Sequence, residues 1–152
     1  DTYTIETAVR LALRHHVNIG AHPSYPDTEN FGRKTIDIEL KELKKSLKGQ
    51  IVLVKDIAER LGGRLHHVKP HGALYNELKH HKEKSHMIID LIQEIDDNLV
   101  LFVSPKSILK ELANNKVKTF TEGFDTICVH SDTQNSVEIL EHIQQQIKTI
   151  TP

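Results

Sequence analysis

HHVKPHGALYN, residues 66–76, is the stretch whose reading decides the fold. Leu65 to Val68 has the length and β-branched end of a short strand, and Lys69, Pro70, His71 and Gly72 stop it abruptly. A cation, an imidazole and a glycine thus gather at a strand's carboxyl end. Open α/β sheets and βα-barrels carry their chemistry there, because the loops leaving the strands converge on one mouth. Pro70 fixes its own φ and Gly72 permits close backbone approach, so Lys69 and His71 are expected to be held in place. The competing account is an ordinary strand-to-helix turn with a solvated Lys and His.

Upstream, Thr4 to His15 carries apolar residues on a helical stripe, and Val17 to Ala21 follows as a short apolar strand. It ends in His22-Pro23-Ser24-Tyr25-Pro26-Asp27, whose prolines stop either element, and Phe31-Gly32-Arg33 closes the loop. Asp37 or a near neighbour is expected to cap a long helix over Ile38 to Leu61, weakened or bent at Gly49 and ended by Gly62-Gly63. Downstream, Glu83 to Ile95 reads as a helix and Leu99 to Val103 as a strand buried on both faces. Ser104-Pro105 marks the start of a short helix to Ala113, which Asn114-Asn115 terminates. Val117 to Phe120 and Thr126 to Val129 read as strands, and Asn135 with Glu138 as a capping box for a last helix to about Ile147. Strand and helix alternate, which predicts a parallel sheet with covering helices, closed as a barrel or open as a layer.

Three strands end in histidine-bearing loops: His22 after Ala21, His71 after Lys69, and His130 after Val129. In a right-handed βαβ series those loops lie on one side of the sheet. His15, His16, His80, His81, His86 and His142 read as solvated surface histidines. His22, His71 and His130 with Asp27 and Asp132 are suited to general acid–base chemistry or to a divalent metal, His22 and His71 being the candidate ligands. Neither paired cysteines nor an H-E-x-x-H helix occurs, so a metal site would have to be assembled across loops. Lys69 and Arg33 offer positive charge to a carboxylate or phosphate. Ser24 and Tyr25 offer hydroxyl donors to a substrate, and Tyr75 and Asn76 are expected to support their loop.

The 152 residues suit one domain with a sizeable core. Twenty Lys and Arg against 21 Asp and Glu leave no basic footprint for nucleic acid. No apolar run is long enough to span a bilayer, and no signal-peptide pattern opens the chain. Cys128 is the single cysteine, which excludes an internal disulfide and suits a reducing, cytoplasmic setting. The chain begins at Asp1 without Met and is expected to be a fragment, a processed form or the ordered part of something longer.

Three blocks then carry a resemblance: GAHPSYPD at 20–27 with FGR at 31–33, VKPHGALYN at 68–76, and DTICVHSDT at 125–133. In that order they resemble the LamB/YcsF family, known as the A-subunit of 5-oxoprolinase. The resemblance implies a βα-barrel of the glycoside hydrolase/deacetylase type that works with two partner subunits to open 5-oxoproline to L-glutamate at the expense of ATP. Self-association into a homo-oligomer is compatible with it. The matching positions are His22, Ser24, Asp27, Arg33, Lys69, His71, Tyr75, His130 and Asp132. Of these, His22, Asp27, Lys69, His71, His130 and Asp132 are the expected catalytic residues, and Ser24, Arg33 and Tyr75 the expected substrate contacts. Two departures stand out. Family members begin with an acidic strand motif and an A-C-G-F-H-A-G-D segment, of which only Asp1 could remain. They also carry an A-D-R-x-Y stretch and a polar loop where Phe124 here meets Asp125. A complete barrel takes about 250 residues, so residues 1–152 are expected to form a single incomplete barrel-like domain, lacking N-terminal strands and a segment between 124 and 125. ATP would be a co-substrate of the complex, handled without a G-x-x-x-x-G-K-[ST] loop in this chain. The alternatives are a metal-dependent deacetylase of N-acetylated sugars and a non-catalytic substrate-binding subunit.

Overall fold

The computed structural model describes residues 2–122, all within the compact unit formed by residues 1–122. The expected strand at 126–129, the last helix, Cys128 and the 124–125 junction lie outside the described residues. Helix α1 (Thr2–Arg14), strand β1 (Ile19–Ala21), α2 (Leu40–Arg60), β2 (Leu65–Val68), α3 (Gly72–Glu77), α4 (Lys82–Ile95), β3 (Val100–Val103), α5 (Ile108–Ala113) and β4 (Lys118–Thr121) follow one another. The four strands pair in parallel, in the order β1-β2-β3-β4. Neighbours in space are thus neighbours in sequence, with a helix in each crossover. That is the wall of a βα-barrel rather than a doubly wound sheet, whose strand order reverses.

The core lies between the sheet and its helices. Leu43, Leu47 and Ile51 of α2 and Ile88, Leu91 and Ile92 of α4 are fully buried, with Val68, Leu101 and Val103 of the strands. Strand periodicity sends the intervening residues to the opposite face. There the rings of His67 and Phe102 stack at 4.6 Å and those of Phe102 and Phe120 approach at 4.9 Å. Gly20 makes room for this row: a Cβ on it would sit 2.1 Å from His67 Nε2. Burial, with like charge from His66 and Lys69, lowers the His67 pKa below the usual imidazole value.

Several local expectations need correction. Strand β3 is buried on one face only, Val100 and Phe102 being half-buried, because the aromatic face has no covering helix among the described residues. Glu39, not Asp37, is the N-cap of α2, and it makes no side-chain cap bond. That helix runs on through Gly49, and Gly62 follows its end at φ +84°. Helix α5 starts after Ser107 rather than at Ser104-Pro105: Ser107 Oγ donates to Ser104 O at 2.7 Å and accepts from Lys110 N at 3.1 Å, closing a turn before the helix. Finally, the loop after His71 contains α3, whose six residues are too short to show a helical period.

Candidate active site

The loop of residues 22–33 lacks regular structure, so its backbone polar groups need partners from elsewhere. The side-chain amide of Gln50, on α2, grips both sides of one residue: Ser24 N donates to its Oε1 at 3.0 Å, and its Nε2 donates to Ser24 O at 2.9 Å. Tyr25 is 1% exposed and its hydroxyl donates to Glu77 Oε2 at 2.5 Å. Lys84 Nζ donates to the Tyr25 hydroxyl at 2.8 Å and is ion-paired with Glu77. The loop also leans on the next strand end. Lys69 N donates to Ala21 O, His71 N to Pro23 O and Ala73 N to Gly32 O, at 2.9 to 3.0 Å. Gly72, at φ +58°, is required here, since a Cβ on it would lie 2.5 Å from Gly32 O.

This framework brings His22 and His71 together. His22 Nδ1 faces Lys69 O at 2.6 Å, His71 Nε2 faces Phe31 O at 3.0 Å, and His71 Nδ1 meets His22 Nε2 at 3.0 Å. The rings lie edge to face, 4.7 Å apart. A nitrogen facing a carbonyl must donate, and the contact between the rings needs one proton of its own. The three contacts therefore engage all four ring nitrogens of the pair.

Beside the pair, Lys69 Nζ and Glu122 Oε1 form an ion pair at 2.5 Å, with side chains only 20% and 12% exposed. Burial, with the neighbouring Glu122 carboxylate, pushes the Tyr75 pKa up to about 12. Burial also pushes the Glu122 carboxyl up, but hydrogen bonds from Lys69 and Tyr75 and the charges of Lys69 and His22 outweigh it and hold the group below its ordinary range. Each described strand thus contributes at its carboxyl end: β1 gives His22, β2 gives Lys69 and His71, β3 gives Ser104 and β4 gives Glu122.

Other expected residues take different parts. Asp27 Oδ1 accepts from Asn30 N and Nδ2 at 3.3 and 2.9 Å, so this carboxylate closes its own loop, and its Oδ2 is buried without a hydrogen-bond partner. Ser24 Oγ donates to Tyr25 O at 3.0 Å rather than outward, and Tyr25 is an anchor, not a substrate donor. The Arg33 guanidinium lies 5.8 Å from the centroid of the Phe31 ring and borders a groove of about 770 Å³ with Thr35, Asn76 and His80. His130 and Asp132 lie outside the described residues. Among the described residues no group of three or more His, Cys, Asp or Glu is arranged to hold a metal. Sequence reasoning missed Glu122, Ser104 and Gln50. The first two sit directly after strands, the same address that singled out His22 and Lys69. Gln50 gave no signal, being one polar residue on a helix.

Several known proteins are similar to this chain. The 5-oxoprolinase A-subunit from Photorhabdus laumondii is 40% identical over 125 residues, covering 82% of this chain and 50% of its own length. Its namesake from Shouchella clausii is 42% identical over 125 residues, covering 82% and 49%. The crystal structure of the lactam utilization protein from Thermus thermophilus superposes with a TM-score of 0.77 at 34% identity, covering 81% of this chain and 50% of that one. The chain spans about half the length of the curated relatives it matches. With the LamB/YcsF family model matched over residues 1–124, this chain belongs to the LamB/YcsF family.

Proposed function

We propose that the chain takes part in the ATP-dependent hydrolytic opening of 5-oxoproline to L-glutamate, as one of three kinds of subunit. A five-membered lactam keeps its amide resonance, so water attacks it slowly. Phosphorylation of the amide oxygen by ATP leaves an electrophilic carbon. Water then adds to that carbon, the C–N bond breaks as the ring nitrogen takes a proton, and a second water hydrolyses the resulting acyl phosphate.

The observation that carries this reading is the His22–His71 contact at the mouth of the parallel strands. Each imidazole is oriented by a backbone carbonyl, and a water or substrate that took the place of one of these contacts would meet a ring nitrogen able to accept or give a proton. Lys69, being paired with Glu122, adds charge to the mouth but is not a lone counter-ion for the substrate carboxylate. Arg33, at the edge of the groove, adds a guanidinium whose fork matches a carboxylate. The names of the relatives, a 5-oxoprolinase component and a lactam utilization protein, support the same substrate class.

The test is ATP hydrolysis by the complex reconstituted with its partner subunits, with and without 5-oxoproline. His71→Ala should abolish the 5-oxoproline-dependent part while circular dichroism stays unchanged. Near-normal turnover by a folded His71→Ala protein removes the imidazole pair from the mechanism.

A further inference from the structure

We propose that Glu122 is the specificity-determining carboxylate of this site, accepting the ring N–H of a cyclic amide and so selecting lactams over lactones and N-substituted lactams. The inference rests on the lactam-opening reading above and goes beyond it by naming the group on the enzyme that reads the ring nitrogen.

Recognition here follows from hydrogen-bond complementarity. A lactam acid presents a carboxylate and a carbonyl oxygen, which need donors, and an N–H, which needs an acceptor. Among the described strand ends, the Lys69 ammonium is a donor with capacity beyond its ion pair to Glu122. Among the described residues, Glu122 is the single acceptor-only side chain that the four strand ends bring to this mouth. Asp27, in the adjoining loop, spends Oδ1 on Asn30 and keeps its Oδ2 buried.

Glu122 is also built for the role. Its backbone N–H donates to Val103 O at 3.0 Å, continuing the β3–β4 pairing by one residue and fixing where the side chain starts. Lys69 Nζ then pairs with one of its oxygens at 2.5 Å. An ionised carboxylate offers about four acceptor positions, so this ion pair leaves room for further donors. Kept ionised by its neighbours, Glu122 is a poor proton acceptor but a strong hydrogen-bond acceptor, which suits recognition rather than base catalysis. An analogue lacking the N–H would bury this charge without the partner it expects, the kind of mismatch that rejects a substrate most sharply.

The experiment is a cycle between substrate and enzyme. Binding by calorimetry, and kcat/KM in the reconstituted complex, are measured for 5-oxoproline, its N-methyl derivative and its lactone counterpart, in which oxygen replaces the N–H. Each is tested with the native chain, Glu122→Met and Lys69→Met. The native chain should favour 5-oxoproline over the lactone by at least about tenfold in binding, the scale of a hydrogen bond to a charged group. Glu122→Met, which removes the acceptor, should shrink that ratio towards one, while Lys69→Met, which keeps it, weakens all three ligands but preserves the ratio. A merely structural Glu122–Lys69 pair would instead make both variants weaken all ligands alike. Equal binding of 5-oxoproline and lactone by the native chain, or the same preference in Glu122→Met, overturns the assignment. Native binding with the expected preference but no 5-oxoproline-dependent turnover sinks the catalytic reading and leaves the recognition role standing.

Discussion

Replacing Lys84 by Met should flatten the acid dependence of this protein's stability. Glu77 sits under opposing influences: burial pushes its carboxyl up, while hydrogen bonds from Lys84, Tyr25 and Thr35 and the Lys84 charge bring it down from 4.5 to about 2. The folded value lies below the unfolded one, so the stability it contributes is present above about pH 4.5 and drains away as the pH falls towards about 2. A displacement of that size corresponds to about 3 kcal/mol, and partial solvent screening of side chains 13% and 21% exposed reduces it to about 1–3 kcal/mol. Urea unfolding at pH 7 and pH 3 checks this. The native chain should lose more stability over that interval than Lys84→Met, by about 1–2 kcal/mol. Parallel losses in the two proteins would show that the Tyr25–Glu77–Lys84 cluster is not a linked ionic anchor, and the account of how the histidine loop is held would fail with it.

Two further predictions concern the same framework. Gly72→Ala should destabilise by about 2–4 kcal/mol in denaturant titration, because the left-handed backbone costs about 1–2 kcal/mol and the new Cβ would press on Gly32 O, whose bond to Ala73 N must give way. Gln50→Glu keeps the shape of the side chain but replaces the donor to Ser24 O with a second oxygen. It should cost about 1–3 kcal/mol and alter the His22 ring nitrogen signals in nitrogen-15 NMR; unchanged signals would mean the amide grip does not position His22.

Much of the site was legible because strand ends announce themselves. An apolar run broken by Pro, Gly or His is visible in one dimension, and parallel crossovers put successive strand ends on one side without further information. His22, Lys69 and His71 were found in this way. Asp27 and Tyr25 share that loop and look equally chemical in the sequence, yet one closes a turn with Asn30 and the other is buried against Glu77. Nothing local distinguishes a side chain turned into its own loop from one turned into the mouth.

The alternation of apolar runs, helical stripes and turn residues by itself determined a parallel α/β architecture and the common end at which its strand-end loops lie, since backbone periodicity and the punctuation of Pro and Gly are local properties. Only the tertiary structure decided which groups meet. Lys69 finds Glu122 across 53 positions, and Gln50 finds Ser24 across 26, because the side-by-side register of the strands and the seating of α2 set those distances. Hydrogen bonds act over about 3 Å, and whether two groups come that close depends on the packing of everything between them.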